Sequence, residues 1–255
     1  MNFGEAVLLG VIEGLTEFLP VSSTGHLLLS AEVLGIAQSD FVKSFEIAIQ
    51  LGAILAVVVL YARTLLVDVE VLKRVAVAFV PTAVIGLLAY GFLRDVLFED
   101  NLIVLIALVA GGLFMIGFEM FYRPRPQPLD LSALRYRTAF LIGGLQAVAI
   151  VPGVSRAAAT ILAGLAMGMD RRAVVEFSFL LAVPTMAAAT GYDLLHTSRS
   201  FTLQEAATLA TGFAVSFATA MIGIRFLLGY IRRRSFIAFG VYRVALAVAF
   251  FLFLL

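Results

Sequence analysis

The sequence predicts an all-α polytopic membrane protein with an inverted-topology repeat, and three observations lead there. Of 255 residues, 62% are hydrophobic and only 14% charged, a composition of membrane-spanning chains rather than of a soluble core. Long apolar runs recur along the whole chain. The order of elements also repeats: a pair of short helices broken at a proline, then three longer apolar runs, twice over.

The first repeat covers 1–122. Residues 4–19 and 24–36 are each too short to cross, since sixteen helical residues reach about 24 Å against a hydrocarbon core of about 30 Å. The break between them, Pro20 to Ser23, predicts a re-entrant helix hairpin over 4–36. Irregular backbone of that kind is stable at membrane depth only where protein or a watered cavity surrounds it. Three transmembrane helices follow, near 42–62, 75–93 and 102–121. A polar, proline-rich linker spans 123–137 and begins Arg123-Pro124-Arg125-Pro126-Gln127-Pro128. The second repeat, 138–255, has a hairpin over 138–168 broken at Pro152-Gly153-Val154-Ser155-Arg156, then spans near 174–194, 204–229 and 236–254. Pro20-Val21-Ser22-Ser23 aligns with Pro152-Gly153-Val154-Ser155 at an offset of 132. A hairpin plus three crossings puts the second half on the opposite side, so the repeats are inverted and their broken helices meet near the midplane.

Basic residues set the orientation. Arg63, Lys73, Arg74, Arg123, Arg125, Arg135, Arg137, Arg171, Arg172, Arg232, Arg233 and Arg234 fall on one side; Lys43, Arg94 and Arg199 fall on the other. The first side is the cytoplasm by the excess of Lys and Arg, so 123–137 is cytoplasmic and the first hairpin opens outward. Arg156, Arg225 and Arg243 lie within apolar segments. A net charge of +1 without a basic stripe excludes nucleic acid as a partner, and the absence of cysteine excludes disulfides and thiolate metal sites. The N-terminal apolar run lacks a basic flank and carries glutamates, so it is read as part of the protein rather than as a cleaved signal.

Chemistry concentrates in one stretch, Glu13-Gly14-Leu15-Thr16-Glu17-Phe18-Leu19-Pro20-Val21-Ser22-Ser23-Thr24-Gly25-His26. An ionisable group in a bilayer costs about 2.5–3.5 kcal/mol on insertion scales, so function is the default reading. Glu13 and Glu17 are four apart and share a helix face, about 5–6 Å between Cβ atoms. Two carboxylates that close either share a cation or have one carboxyl pKa raised, and their hard oxygens suit Mg²⁺ or Ca²⁺. Pro20 ends the first helix. Ser22 or Ser23 caps the second, leaving the N–H groups of Thr24, Gly25 and His26 for an anion. Ser23 and His26 share a face, and a hydroxyl beside an imidazole is the minimum for an activated nucleophile. Each feature has a structural alternative: the glutamates as a polar patch paired with Arg156 or Arg243, the hydroxyls as caps, His26 as a neutral buried imidazole. Glu46, Glu176 and Asp193 are ambiguous, and His196, near a loop, reads as solvated.

This stretch resembles the glutamate-rich motif of the bacitracin-resistance family of undecaprenyl-pyrophosphate phosphatases. Pro152-Gly153-Val154-Ser155-Arg156 is similar to that family's second motif, and Phe45 to Leu55, Glu176 to Pro184 and Ser235 to Arg243 also look like family segments. The resemblance implies a multi-pass enzyme of the bacterial inner membrane that removes the terminal phosphate from a C55 isoprenyl pyrophosphate with a divalent cation, recycling the carrier for cell-wall synthesis and conferring bacitracin resistance. With that chemistry, the residues point to Glu17, Ser23, His26 and Arg156 as catalytic, Thr24, Gly25, Ser155, Arg156 and Thr160 as substrate-binding, and Glu13 and Glu17 as metal ligands, and the basic-residue asymmetry turns the site outside. After Ser155-Arg156 the family usually carries Ser-Gly, where this chain has Ala157-Ala158.

A polyprenyl pyrophosphate lipid and the bilayer are the expected partners, and a homodimer is compatible with the sequence. Attack by Ser23 with His26 as base, and direct attack by water, both fit the residues. The rival reading is a polyprenyl-phosphate transporter or flippase, since inverted repeats with broken helices are also transporter architecture. The set Ser23, His26 and Arg156, which a carrier does not need, separates the two.

Overall fold

The computed structural model describes residues 1–37, 39–97, 101–123, 129–196 and 201–254. Among them there is helix and turn but no strand. In chain order the helices are α1 (Phe3–Thr16), α2 (Ser23–Val33), α3 (Asp40–Leu60), α4 (Ala62–Val67), α5 (Val69–Leu97), α6 (Asn101–Phe121), α7 (Tyr136–Gln146), α8 (Arg156–Ala166), α9 (Arg171–His196), α10 (Leu203–Tyr230) and α11 (Ile237–Leu254). Among the described residues, five stretches are long and apolar enough to cross a membrane: Asp40–Leu60, Val69–Ala89, Leu102–Phe121, Arg171–Tyr192 and Leu203–Tyr230. The outer surface suits lipid, with Leu88 81% and Phe121 85% exposed.

The short helices start and stop for local reasons. Asn2 caps α1 in a capping box with Glu5. The helix ends at Thr16, not at Pro20 as the sequence reading had it. Pro20 lacks the N–H that would reach the Thr16 carbonyl, and its ring would strike that carbonyl, so the last helical turn is lost before the proline. The Leu19 N–H takes the Thr16 carbonyl instead, in a tighter turn. α7 likewise tightens into a 3-10 turn over Ala147–Ile150 before Pro152.

Ser22 and Ser155 are the non-glycine residues with positive φ among those described, at 71° and 74°. Each caps the helix that follows, and α2 and α8 each run 11 residues. Gly35 and Gly168, with φ of 65° and 84°, then turn the chain at the far ends, a conformation glycine adopts without steric cost. Ser22 to Ser155 and Gly35 to Gly168 are both separations of 133 positions. The correspondence is therefore one residue off the offset of 132 read from sequence. Ser23 of α2 matches Arg156 of α8, and Glu13 matches Gln146.

Packing interleaves the two halves. α1 lies chiefly on α10, and α7 on α5. Lipid offers no hydrophobic drive between helices, so small residues that allow close approach decide such contacts. A Cβ on Gly10 would lie 2.8 Å from the Gly212 carbonyl, and one on Gly112 would lie 2.7 Å from that of Gly240, where α6 crosses α11. Gly143 is pressed against Ala78 of α5 in the same way. At one end, Glu119 takes a two-pronged bond from Arg171 at 2.5 and 2.6 Å and accepts the Phe236 N–H at 3.1 Å. That pair fastens α6, α9 and α11 together.

Candidate active site

The two broken-helix turns meet. Glu17 caps the C-terminus of α1, with its amide bonded to the Glu13 carbonyl. Its carboxylate joins the two halves of the chain. Oε1 accepts from Arg156 Nη2 at 3.1 Å, and Oε2 accepts from the Ser23 hydroxyl. Glu17 and Ser23 are 8% and 7% exposed, and this ion pair is buried. Arg156 also donates through Nη1 to the Ser178 carbonyl at 3.1 Å, and its guanidinium lies 5.9 Å from the Phe18 ring centre. Its Nε is buried without a partner.

Glu13 sits one turn before Glu17, within the electrostatic reach of Glu17, Glu46 and Arg156. Its Oε1 is also buried without a partner. A lone buried carboxylate oxygen beside a second carboxylate is the donor chemistry of a hard cation. Among the described residues, however, no group of three or more His, Cys, Asp or Glu side chains converges as a ligand cage. The set fits an ion such as Mg²⁺, which keeps one or two carboxylates and takes further oxygens from water and substrate phosphates.

His26 is placed differently from the sequence reading. Its Nδ1 is 2.7 Å from the Ser22 carbonyl and its Nε2 is 2.7 Å from the Tyr242 hydroxyl. Both ring nitrogens are thereby committed, and the Ser23 hydroxyl turns to Glu17 instead. The three-residue spacing put Ser23 and His26 on one face but could not reveal these competing partners. Two of the amides expected to be free are also taken: Gly25 N–H by Ser22 Oγ at 3.3 Å and His26 N–H by the Ser22 carbonyl at 3.2 Å. The open end of α2 is thus its first two residues, Ser23 and Thr24, whose amides precede the capped ones. Thr24 is exposed.

On the other side Ser155 caps α8, with its hydroxyl accepting the Ala158 N–H at 3.2 Å. The alanines that replace the expected Ser-Gly face the core, with Ala157 1% and Ala158 3% exposed. Thr160 is wholly buried, and its hydroxyl meets Gln146 and the Arg156 carbonyl, both at 2.9 Å. Its place is one turn behind Arg156, in a network where Gln146 also donates to Thr82 and Thr185. The side chains of Asp193 and His196 lie outside the described residues.

α11 contributes two residues of the Ser235 to Arg243 segment that the sequence did not assign to the site. Tyr242 reaches His26, and Arg243 is completely buried. Its guanidinium donates to the carbonyls of Gly153 at 2.8 Å, Val154 at 2.9 Å, Ala107 at 3.0 Å, Leu108 at 3.4 Å and Pro20 at 3.5 Å. The sequence offered Arg243, with Arg156, as a partner of the glutamates only in the structural alternative. Instead it binds backbone of both turns, because three non-helical carbonyls there need a donor away from water. Gly111 on α6 leaves the space that this guanidinium fills.

The model of the bacitracin resistance protein BacA family matches residues 6–249. The chain belongs to that family. It is 48% identical to an undecaprenyl-diphosphatase of Aquifex aeolicus, covering 99% of this chain and all of that protein. It is 46% identical to one of Persephonella marina over the whole of both chains, and 45% identical to one of Thermus thermophilus over 98% of this chain and 97% of that protein. The family membership read from the motifs is borne out over nearly the full length.

Proposed function

We propose that this chain hydrolyses undecaprenyl pyrophosphate to undecaprenyl phosphate and inorganic phosphate, and that Glu17, Ser23 and Arg156 are the core of its site. The observation that carries the reading is the single carboxylate shared by a serine hydroxyl and a buried arginine from opposite halves. Glu17 Oε2 is positioned to take the Ser23 proton. Ser23 Oγ then attacks the terminal phosphorus, the bond to the bridging oxygen breaks, and the lipid monophosphate leaves. Water hydrolyses the phosphoserine, which releases phosphate and restores the hydroxyl. Arg156 has a planar fork able to grip two phosphate oxygens, and its free Nε is a donor still to be used. Electrostatic positioning of this kind supplies most of phosphoryl-transfer catalysis. A divalent cation, Mg²⁺ or Ca²⁺, would be held by Glu13 and Glu17 and would neutralise pyrophosphate charge there.

The same reading includes the architecture. The 133-residue spacing and the exchange of helix partners support inverted repeats over 1–122 and 138–255, each with a re-entrant hairpin. The basic-residue asymmetry supports a bacterial inner-membrane location with the site open to the outside. Recycling of the lipid carrier and bacitracin resistance follow from such an activity. A flippase is disfavoured because Ser23 engages a base, which carriage does not require.

The test is phosphate release from undecaprenyl pyrophosphate in detergent. Glu17→Gln and Ser23→Ala should each lose at least about 10³-fold, within the usual range for a proton acceptor. A folded wild-type protein that releases no phosphate, or a Ser23→Ala protein with full activity, overturns the assignment.

A further inference from the structure

The His26 imidazole has a tautomer that its neighbours dictate. A carbonyl oxygen only accepts, so the nitrogen 2.7 Å from the Ser22 carbonyl, Nδ1, carries the hydrogen. In the neutral ring Nε2 is then the acceptor, and the group facing it at 2.7 Å is the Tyr242 hydroxyl, which donates. The two rings lie nearly parallel, 7° apart in plane and 5.5 Å between centres. Tyr242 arrives from α11, 216 residues away in sequence. The same Ser22 carbonyl also accepts the His26 amide. Ser22 is held at φ 71°, outside the comfortable range of a side-chain-bearing residue, directly before Ser23.

We propose that Tyr242 is a positioning residue that holds His26 in the Nδ1–H tautomer, so that the imidazole braces the Ser22 carbonyl and fixes the turn that presents Ser23. The kinetic part of this inference rests on the phosphatase reading, and the tautomer part does not. The Ser22 carbonyl calls for Nδ1–H, Nε2 is thereby unprotonated, and Tyr242 adds to that preference by donating to it. Without the hydroxyl, the Ser22 carbonyl alone selects the tautomer and Nε2 loses its donor. With Nε2 protonated, the unprotonated Nδ1 would face a carbonyl oxygen and the brace would be lost. His26 therefore supports the nucleophile through the backbone and is not the base for Ser23.

The chain has only two histidines, which makes the state of this ring directly readable. The protein is labelled with ¹⁵N-histidine in detergent at mildly alkaline pH, and His196→Asn identifies the second ring by loss of its signals. The expected wild-type spectrum has a protonated Nδ1 and an unprotonated, hydrogen-bonded Nε2 on His26. Tyr242→Phe keeps the ring and removes only the hydroxyl. It should shift the Nε2 resonance toward a free pyridine-type nitrogen, loosen the hold of the ring on the Ser22 carbonyl and lower kcat about tenfold with little change in KM, the scale of one hydrogen bond. A wild-type His26 protonated at Nε2, or a spectrum untouched by Tyr242→Phe, overturns the proposal. So does a shifted spectrum with unchanged kcat. Should the wild type prove inactive while the spectra behave as expected, the tautomer assignment stands and the phosphatase reading falls.

Discussion

Arg243→Met tests whether both turns depend on one buried cation. The guanidinium carries five carbonyl contacts, of which the two shortest, to Gly153 at 2.8 Å and Val154 at 2.9 Å, go to turn backbone. The Ala107 and Leu108 carbonyls belong to α6 and keep helical partners. A hydrogen bond to a charged group contributes about 1.5–3 kcal/mol, and a buried carbonyl left unpaired costs about 1–3 kcal/mol. Against this, methionine spares the desolvation of a cation. The net loss should be about 3 kcal/mol, at the low end for a broken buried charge network. At about 2–4 °C per kcal/mol for a chain of this size, the Tm should fall by roughly 6–12 °C. A catalytic geometry displaced by about 1 Å can cost about 10²-fold, so kcat/KM should drop by about that factor. Arg243→Lys keeps the charge but not the reach to three segments, and should fall between wild type and Met. The measurements are thermal unfolding in detergent and phosphate release on the same preparations. Wild-type Tm and kcat/KM in Arg243→Met would refute the reasoning. A raised KM at unchanged Tm would instead make Arg243 a phosphate ligand.

Two further predictions concern the cation and the membrane. Excess EDTA should abolish phosphate release, with added Mg²⁺ or Ca²⁺ restoring it, and Glu13→Gln should raise the metal concentration needed for half-maximal activity by at least about tenfold, the lower bound for disturbing a metal site; full activity in EDTA would remove the metal from the account. In the otherwise cysteine-free chain, a cysteine at Asp100 or Arg199 should react with an impermeant thiol reagent from outside the cell, and one at Arg125 or Arg233 should not. The reverse pattern would invert the topology and turn the proposed site inward.

What the sequence determined by itself was mostly local. Hydrophobic run length predicted the long helices α3, α5, α6, α9 and α10. The Pro20 and Pro152 breaks located the turns, because proline removes a backbone donor wherever it stands. The i,i+4 spacing placed Glu13 and Glu17 on one face, and the cost of charge in lipid marked the stretch from Glu13 to His26 as functional. Pairings across the fold were the part decided by tertiary structure. Arg156 is 139 residues from Glu17, Tyr242 is 216 from His26, and Arg243 is 89 and 223 from the turn carbonyls it binds. Local spacing offered Ser23 to His26, yet Glu17 and Tyr242 claimed the two groups separately. Thr160 carried the right chemistry for a phosphate, but Gln146 took its hydroxyl inside the core. In each case several partners were sterically possible along the chain, and the one realised depends on which helices interleave, a choice made by small residues such as Gly10, Gly112 and Gly143 that allow backbones to touch.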